Sequence, residues 1–313
     1  MRKIFIMLMI SGIGWTGTGQ ELQKVAKAKD EATAVKIPDT LKKHWLVTGI
    51  GALQFSQAAF SNWSGGGQNS IGLTSLLNIK ANYSKGKSAW GNTIDLGYGF
   101  QYIGKSGDAK FYKTNDKIEL TTAYGYQISK DAKWFFTILA NIRTQFSAGY
   151  NYPDDSTVIS NFMSPGYLIA GVGITYAPVK WFYVYLSPAS GRATFVIDKK
   201  LSDSGSFGVD RGKQVKMEFG PYLRADMNKD FGKSFNISSS LELFTDYLHK
   251  FGNIDVNWNL LLTLKVNKWL AASINTQLVY DDDVIIKADP TVEGGPRTQF
   301  KEILGIGLTV KLH

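Results

Sequence analysis

From residue 44 onward the hydrophobic period along the chain is two. The clearest stretch is 254–266, where Ile254, Val256, Trp258, Leu260, Leu262, Leu264 and Val266 alternate with Asp255, Asn257, Asn259, Thr263 and Lys265, and Leu261 alone breaks the pattern. Successive side chains of a β-strand point to opposite faces, so such a segment has one apolar and one polar surface. The same alternation returns in Trp90, Ile94, Leu96, Tyr98, Phe100 and Tyr102, in Trp134, Phe136, Ile138, Ala140 and Ile142, and in Leu304, Ile306, Leu308, Val310 and Leu312. It predicts twelve strands, at about 44–60, 67–84, 88–104, 114–129, 132–148, 166–177, 180–187, 213–228, 232–248, 252–266, 268–281 and 297–312. Many of these exceed the roughly 5–6 residues of an ordinary soluble strand and reach the about 9–11 that a tilted strand needs to cross hydrocarbon. Two places resist. Only Phe182, Val184 and Leu186 support the seventh strand before Pro188. Pro221 lies inside the eighth and cannot donate to a ladder, which calls for a bulge.

The connections alternate in length. Lys85-Gly86-Lys87, Lys130-Asp131, Pro178-Val179, Lys229-Asp230-Phe231 and Asn267-Lys268 are tight, whereas the other links are longer, apart from the modest His249-Lys250-Phe251. Outer-membrane barrels have this asymmetry, with short periplasmic turns and longer outer loops. Trp134, Trp181, Phe235 and Trp269 each follow a short turn and Trp45 opens the first strand, the positions of an interfacial aromatic belt. No later stretch reaches 18 consecutive apolar residues, so no transmembrane helix is predicted. Lipid offers no water to pair an exposed N–H, and strands that cross it must close on themselves. The expected fold is therefore all-β: a transmembrane antiparallel up-and-down β-barrel of about twelve strands, with N- and C-termini both periplasmic.

The first twenty residues differ from the rest. Arg2 and Lys3 precede the apolar run Ile4–Ile10, small residues follow at Thr16–Gly19, and Gln20-Glu21 turns polar, the order of a secretory signal peptide. The stretch from Glu21 to Lys43 is rich in Lys, Ala, Glu and Asp and has no sustained apolar face. The expected organisation is a signal peptide over 1–19, a periplasmic N-terminal tether over 20–43 and an outer-membrane barrel over 44–313, which places the protein in the cell outer membrane.

Composition narrows the chemistry. The 313 residues contain no cysteine, which removes disulfides, thiol nucleophiles and Cys-based metal sites. His44, His249 and His313 are the only histidines, and none falls mid-strand beside a candidate serine and carboxylate, so no catalytic triad is expected. The formal charge of +9 comes without a basic helix, and nucleic acid is not an expected partner. Gly65-Gly66-Gly67 lacks the Lys-Ser/Thr of a phosphate loop, and Asp154-Asp155 and Asp281-Asp282-Asp283 lack EF-hand spacing. No metal or other cofactor is expected. The polar face itself carries both signs of charge. Asp95, Lys117, Glu119, Arg143, Glu218, Arg224, Glu242, Asp255 and Lys265 are the residues expected to form a lumen charge network, either as a solvated lining or as ion pairs that occlude it. Twelve strands give a width between filled eight-stranded barrels and open sixteen-stranded porins.

Several segments have a family resemblance. Asn62-Trp63-Ser64-Gly65-Gly66, Trp90-Gly91-Asn92 with Leu96-Gly97-Tyr98-Gly99, Lys117-Ile118-Glu119-Leu120, Arg143-Thr144-Gln145-Phe146, Leu186-Ser187-Pro188, Phe207-Gly208-Val209 and Tyr280-Asp281-Asp282-Asp283 occur in that order. Together they resemble an N-W-S-x-G-G type family of Bacteroidota outer-membrane β-barrel proteins catalogued as a domain of unknown function, over about 44–313. The resemblance implies a location and a barrel-like fold, and no cargo or reaction. The expected role is a small-solute, porin-like conduit or a structural component of the envelope, not an enzyme. The expected partners are outer-membrane lipid and a small solute. The alternatives are a lipid hydrolase-like enzyme and a surface protein that binds a partner through the 188–212 loop.

Overall fold

The computed structural model describes residues 44–58, 70–104, 110–152, 154–232, 234–249, 251–267, 270–286 and 294–312. The expected signal peptide, the tether, the Asn62-Trp63-Ser64 motif and Trp269 lie outside the described residues. Twelve long antiparallel strands form one sheet: β1 (Trp45–Ala58), β2 (Ser70–Lys85), β3 (Ser88–Ile103), β4 (Lys110–Gln127), β5 (Trp134–Thr144), β6 (Gly166–Val179), β7 (Phe182–Phe195), β8 (Val215–Phe231), β9 (Phe235–Phe244), β10 (Asp255–Lys265), β11 (Leu270–Tyr280) and β12 (Gln299–Leu312). Each pairs with its sequence neighbour, and β1 pairs with β12 from Gly49↔Leu312 to Leu53↔Leu308, so the sheet closes on itself. Two small hairpins sit in the links, Gly149–Tyr150 with Val158–Ser160 and Ile285–Ile286 with Gly295–Pro296. Among the described residues no helix is long and apolar enough to cross a membrane.

The links alternate as the sequence predicts. Gly86 and Gly232 take positive φ angles of 62° and 66° in two of the tight turns, a backbone region that glycine enters without steric cost. The start of β1 and the end of β12 lie at the short-turn end, since Trp45 pairs with Tyr83 and Leu312 with Gly49.

The largest departure from the sequence reading is β7. It does not stop at Pro188 but runs to Phe195. Between Ser187 and Ser190 it carries one residue more than either neighbour, because Ser187 and Ser190 pair with Tyr222 and Gly220 of β8, and Leu186 and Ala189 with Ile174 and Val172 of β6. This bulge lies opposite Pro221 and removes the need for its missing donor. It also reverses the phase of the strand: Tyr183, Tyr185 and Ser187 are buried before it, Ser190 and Thr194 after it. Gly173 accepts the distortion, since a Cβ there would stand 2.1 Å from the Leu186 carbonyl oxygen.

The 188–212 loop is accordingly shorter than expected at its start, and the link is 196–214. Helix α1 (Lys199–Ser204) occupies part of it, with the Asp198 carboxylate accepting from the Lys200 and Leu201 amides at its N-terminus. Val196, Leu201 and Val209 form a small buried cluster, with Val158 and Phe207 packed against it. Asn161 Nδ2 donates to Asp198 Oδ2 at 3.1 Å, which ties this link to the one between β5 and β6.

The two faces of the sheet are opposite in character. Leu120, Tyr124, Ile138, Val172, Met217 and Trp258 are exposed on the outside, whereas Asn78, Glu119, Thr137, Asn141, Arg224, Asp226 and Glu242 are buried within. Exposed aromatic rings gather in two bands. At the short-turn end Trp45 lies 5.6 Å from Trp90 and Trp134 lies 4.3 Å from Tyr176. At the long-link end Phe111 lies 4.9 Å from Phe100 and 5.7 Å from Tyr102. On β3, Trp90 and Tyr102 mark the two bands, and the twelve residue steps from one to the other span roughly 40 Å along a strand at about 3.4 Å per residue.

Candidate functional site: a lumen network and a vestibule

The interior is built by the inward set of each strand. Arg224, 1% exposed, stands at its centre. Its Nε donates to Asp226 Oδ2 at 2.7 Å, and its Nη1 donates to Glu242 Oε1 at 2.8 Å. Asp226 is two residues along β8 and therefore on the same face, and Glu242 is its direct cross-strand partner on β9. The second Glu242 oxygen accepts from Arg143 Nη1 at 3.2 Å and from Asn257 Nδ2 at 3.1 Å. The Arg143–Glu242 pair spans the lumen, since β5 and β9 are not neighbours. Glu119 accepts from Asn141 Nδ2 at 2.6 Å and pairs with Lys117 at 3.1 Å.

A second group lies towards the long links. Arg192 donates to Glu218 from Nε at 2.8 Å and from Nη2 at 2.5 Å, its Nη1 stands 2.5 Å from Asp255, and its guanidinium lies 4.2 Å from the centre of the Phe244 ring. Lys216 joins Glu218 at 3.2 Å and also pairs with Asp283. Buried ions need both a counter-charge and hydrogen bonds to offset the loss of water, and most members of these groups have both. The Arg143 Nε is buried with no hydrogen-bond partner among the described residues.

Of the nine residues expected to make the network, Lys117, Glu119, Arg143, Glu218, Arg224, Glu242 and Asp255 lie in these groups. Asp95 accepts instead from its cross-strand neighbour Asn78. Lys265 is a correction: it sits at the last position of β10, 46% exposed, and pairs with Asp230 at 3.1 Å at the short-turn rim, beyond the buried layer. Sequence reasoning missed Arg192, because Pro188 was read as a strand end, and Asp226, although the alternation through Arg224 extends to it.

The two halves of the lumen differ. Ala123, Leu139, Ala177, Tyr183, Tyr185, Tyr222 and Phe244, from strands β4 to β9, form one buried apolar cluster with Ile169 inside the sheet. Thr137 and Thr175 add a buried hydroxyl pair at 2.8 Å. Ala123, Leu139, Ala177, Tyr183 and Tyr185 with the Arg224 group fill that side of the short-turn half, and Ile169, Tyr222 and Phe244 face the other half. The long-link half instead holds a cavity of about 830 Å³. Arg143, Glu119, Tyr222 and Glu242 line it towards the network, and Phe55, Gln101, Tyr167, Phe207, Asp281 and Gln299 line it towards the links. Its charged lining comprises Lys117, Arg143, Arg192 and Lys301 against Asp116, Glu119, Glu242, Asp255 and Asp281. Phe207 holds a φ of 59°, in the left-handed region that residues other than glycine seldom occupy.

His249 is 75% exposed on the link after β9, and its Nδ1 lies 2.9 Å from Asp246 Oδ2. Asp255, Asp281 and Asp282 bring carboxylate oxygens within 4.8 Å of one another, but Asp255 is already paired with Arg192.

A family model described as Protein of unknown function (DUF3078) matches residues 55–150, a shorter span than the resemblance implies. No curated protein matches the chain. Among solved structures, a NanC porin is similar at 9% identity and a TM-score of 0.34, covering 84% of this chain and 98% of that one. The P. putida toluene transporter TodX is similar at 9% identity and a TM-score of 0.29, covering 86% and 90%.

Proposed function

We propose that this protein is an outer-membrane barrel with both ends of its strand array on the periplasmic side and a lumen closed on that side by its own residues. In this reading it is a structural envelope component with an outward-facing vestibule, and its constant partner is outer-membrane lipid. The observation that carries the reading is the inversion of faces: paired charges and amides inside, exposed Leu, Ile, Val and aromatic side chains outside. A soluble protein buries its apolar side and wets its polar side, and the reverse is favourable only where hydrocarbon is the outer solvent. The spacing of the aromatic bands supports it, since roughly 40 Å of strand tilted by about 45° rises about 28 Å, close to the about 30 Å of a bilayer core. The Arg143–Glu242 and Arg224–Asp226 pairs, with Tyr183 and Tyr185 beneath them, favour a resting barrel that does not conduct.

A second reading, a gated conduit for a small solute, draws on the cavity above that layer. Two measurements separate the readings. The folded protein should migrate faster than the boiled one in detergent gels, and a species soluble without detergent overturns the membrane assignment. In planar bilayers the purified barrel should be silent. Conductance steps of stable size overturn the closed lumen and favour the conduit.

A further inference from the structure

We propose that the vestibule binds a neutral, polyhydroxylated ligand, a short saccharide. The inference rests on the reading of a barrel with its cavity facing outward, and adds the class of molecule it takes. Four observations point the same way. The cavity of about 830 Å³ lies within the range of about 300–1,000 Å³ that encloses small-molecule ligands. Most of its charges are already spent on each other, Arg143 on Glu242, Arg192 on Glu218 and Asp255, Lys117 on Glu119, and Lys301 and Asp281, one of each sign, are lining charges outside these pairs. An ionic solute drawn to the paired groups would have to displace one of their partners, and a neutral one leaves them intact. Side-chain amides line the wall in two groups, Gln101 on β3 with Asn115 on β4, and Asn259 on β10 with Gln277 on β11 and Gln299 on β12. Each offers donors and an acceptor, which suits hydroxyl groups that both donate and accept. Aromatic rings accompany them: Tyr167, on the inward face of β6 with Ile169, and Phe207 also line the cavity and offer flat apolar faces to the C–H side of a sugar ring.

Phe207 adds a separate clue. A left-handed backbone at a bulky residue is unfavourable and persists where the surroundings hold it, as the Val196, Leu201 and Val209 cluster does here. The strain keeps an aromatic ring at the edge of the cavity, a recurring arrangement at ligand sites. An apolar ligand would cover the remaining donors and acceptors of the amides without pairing them, and a zwitterion would compete with the existing ion pairs, so the lining favours a neutral polar molecule.

The test is calorimetric titration of the full-length, detergent-folded protein with maltotriose, cellotriose and chitotriose, with trialanine as a zwitterionic comparator. At least one sugar should saturate at one per barrel, and Gln101→Leu and Tyr167→Ala should each weaken it tenfold or more while keeping heat-modifiable migration. Saturation by none of the sugars, by trialanine instead, or unchanged affinity in both variants overturns the proposal. Should one variant fail to fold, the other and the wild-type titration still decide. Conductance recorded on the same sample separates the two readings: a silent barrel that binds no sugar sinks only the ligand, and a conducting barrel that binds one sinks only the closed lumen.

Discussion

Replacing Ile138 by arginine distinguishes hydrocarbon from water as the outer solvent. Ile138 sits mid-way along β5, 48% exposed, between its cross-strand partners Tyr124 and Val172, which are also exposed. It lies four residues from Trp134, the aromatic band residue that opens the strand. Four residues rise about 13 Å along the strand, or about 9 Å along the normal at a tilt of about 45°. With an apolar band about 25 Å tall, that places Ile138 a few ångströms from the midplane, where an arginine on the lipid face costs about 2–4 kcal/mol. In water the same exposed substitution stays within about 0.5 kcal/mol of neutral. Taking about 2–3 kcal/mol, the folding equilibrium should fall by a factor of roughly 30–150 at tenfold per 1.4 kcal/mol. The control is Ile128→Arg, also exposed but at the short-turn end, where the cost is about 0–1 kcal/mol. The assay is reversible urea titration of folding into phosphatidylcholine vesicles, read by tryptophan fluorescence and gel shift. Equal stability of the two variants, within about 0.5 kcal/mol, would refute the membrane reading.

Three further predictions address the interior and the links. Arg224→Leu removes the guanidinium from the buried Asp226 carboxylate and from one oxygen of Glu242 and should cost about 3–5 kcal/mol in the same titration; Arg224→Leu with Asp226→Leu should recover part of that loss, because Glu242 retains Arg143 and Asn257. Gly173→Ala drives a methyl group into the Leu186 carbonyl and should destabilise by about 1–3 kcal/mol, read as a lower urea midpoint, whereas Gly191→Ala, where a Cβ meets nothing within 4 Å, should not. The hydrogen bond from Asn161, followed by the Leu201 and Lys200 amides, holds the Asp198 carboxyl below its ordinary value. Its contribution to α1 is complete above the unfolded value near 3.9 and is lost as pH falls through the lower folded value, so the protection of α1 amides relative to their intrinsic exchange rate should be lower at pH 3 than at pH 6, and Asp198→Ala should abolish that difference.

The strand count and the alternation of link lengths were legible because each of the twelve strands has two unlike faces and each short turn has its Gly, Asp or Lys. The site was legible in part. Glu242 and Arg224 follow from their positions on the polar face, but that Arg143 reaches across to Glu242 depends on curvature, which no local pattern encodes. Arg192 was hidden by the bulge, where one additional residue shifts the period and Pro188 imitates a strand end. Lys265 shows the converse error: correct parity does not reveal depth, and a charge at the last rung faces water. The cavity had no sequence signature, since its lining is drawn from all twelve strands and three links.

The seam between β1 and β12 has a bearing on how the molecule comes into being. Every other barrel strand finds its neighbour a few tens of residues away at most, but Gly49 meets Leu312 only after nearly all the intervening chain has been made. Until that last rung forms, two ribbons of unpaired amides remain open to any stray strand. Zipping of the array therefore ends with a long-range encounter, slow on entropic grounds, during which a guardian that caps the open edges would matter most.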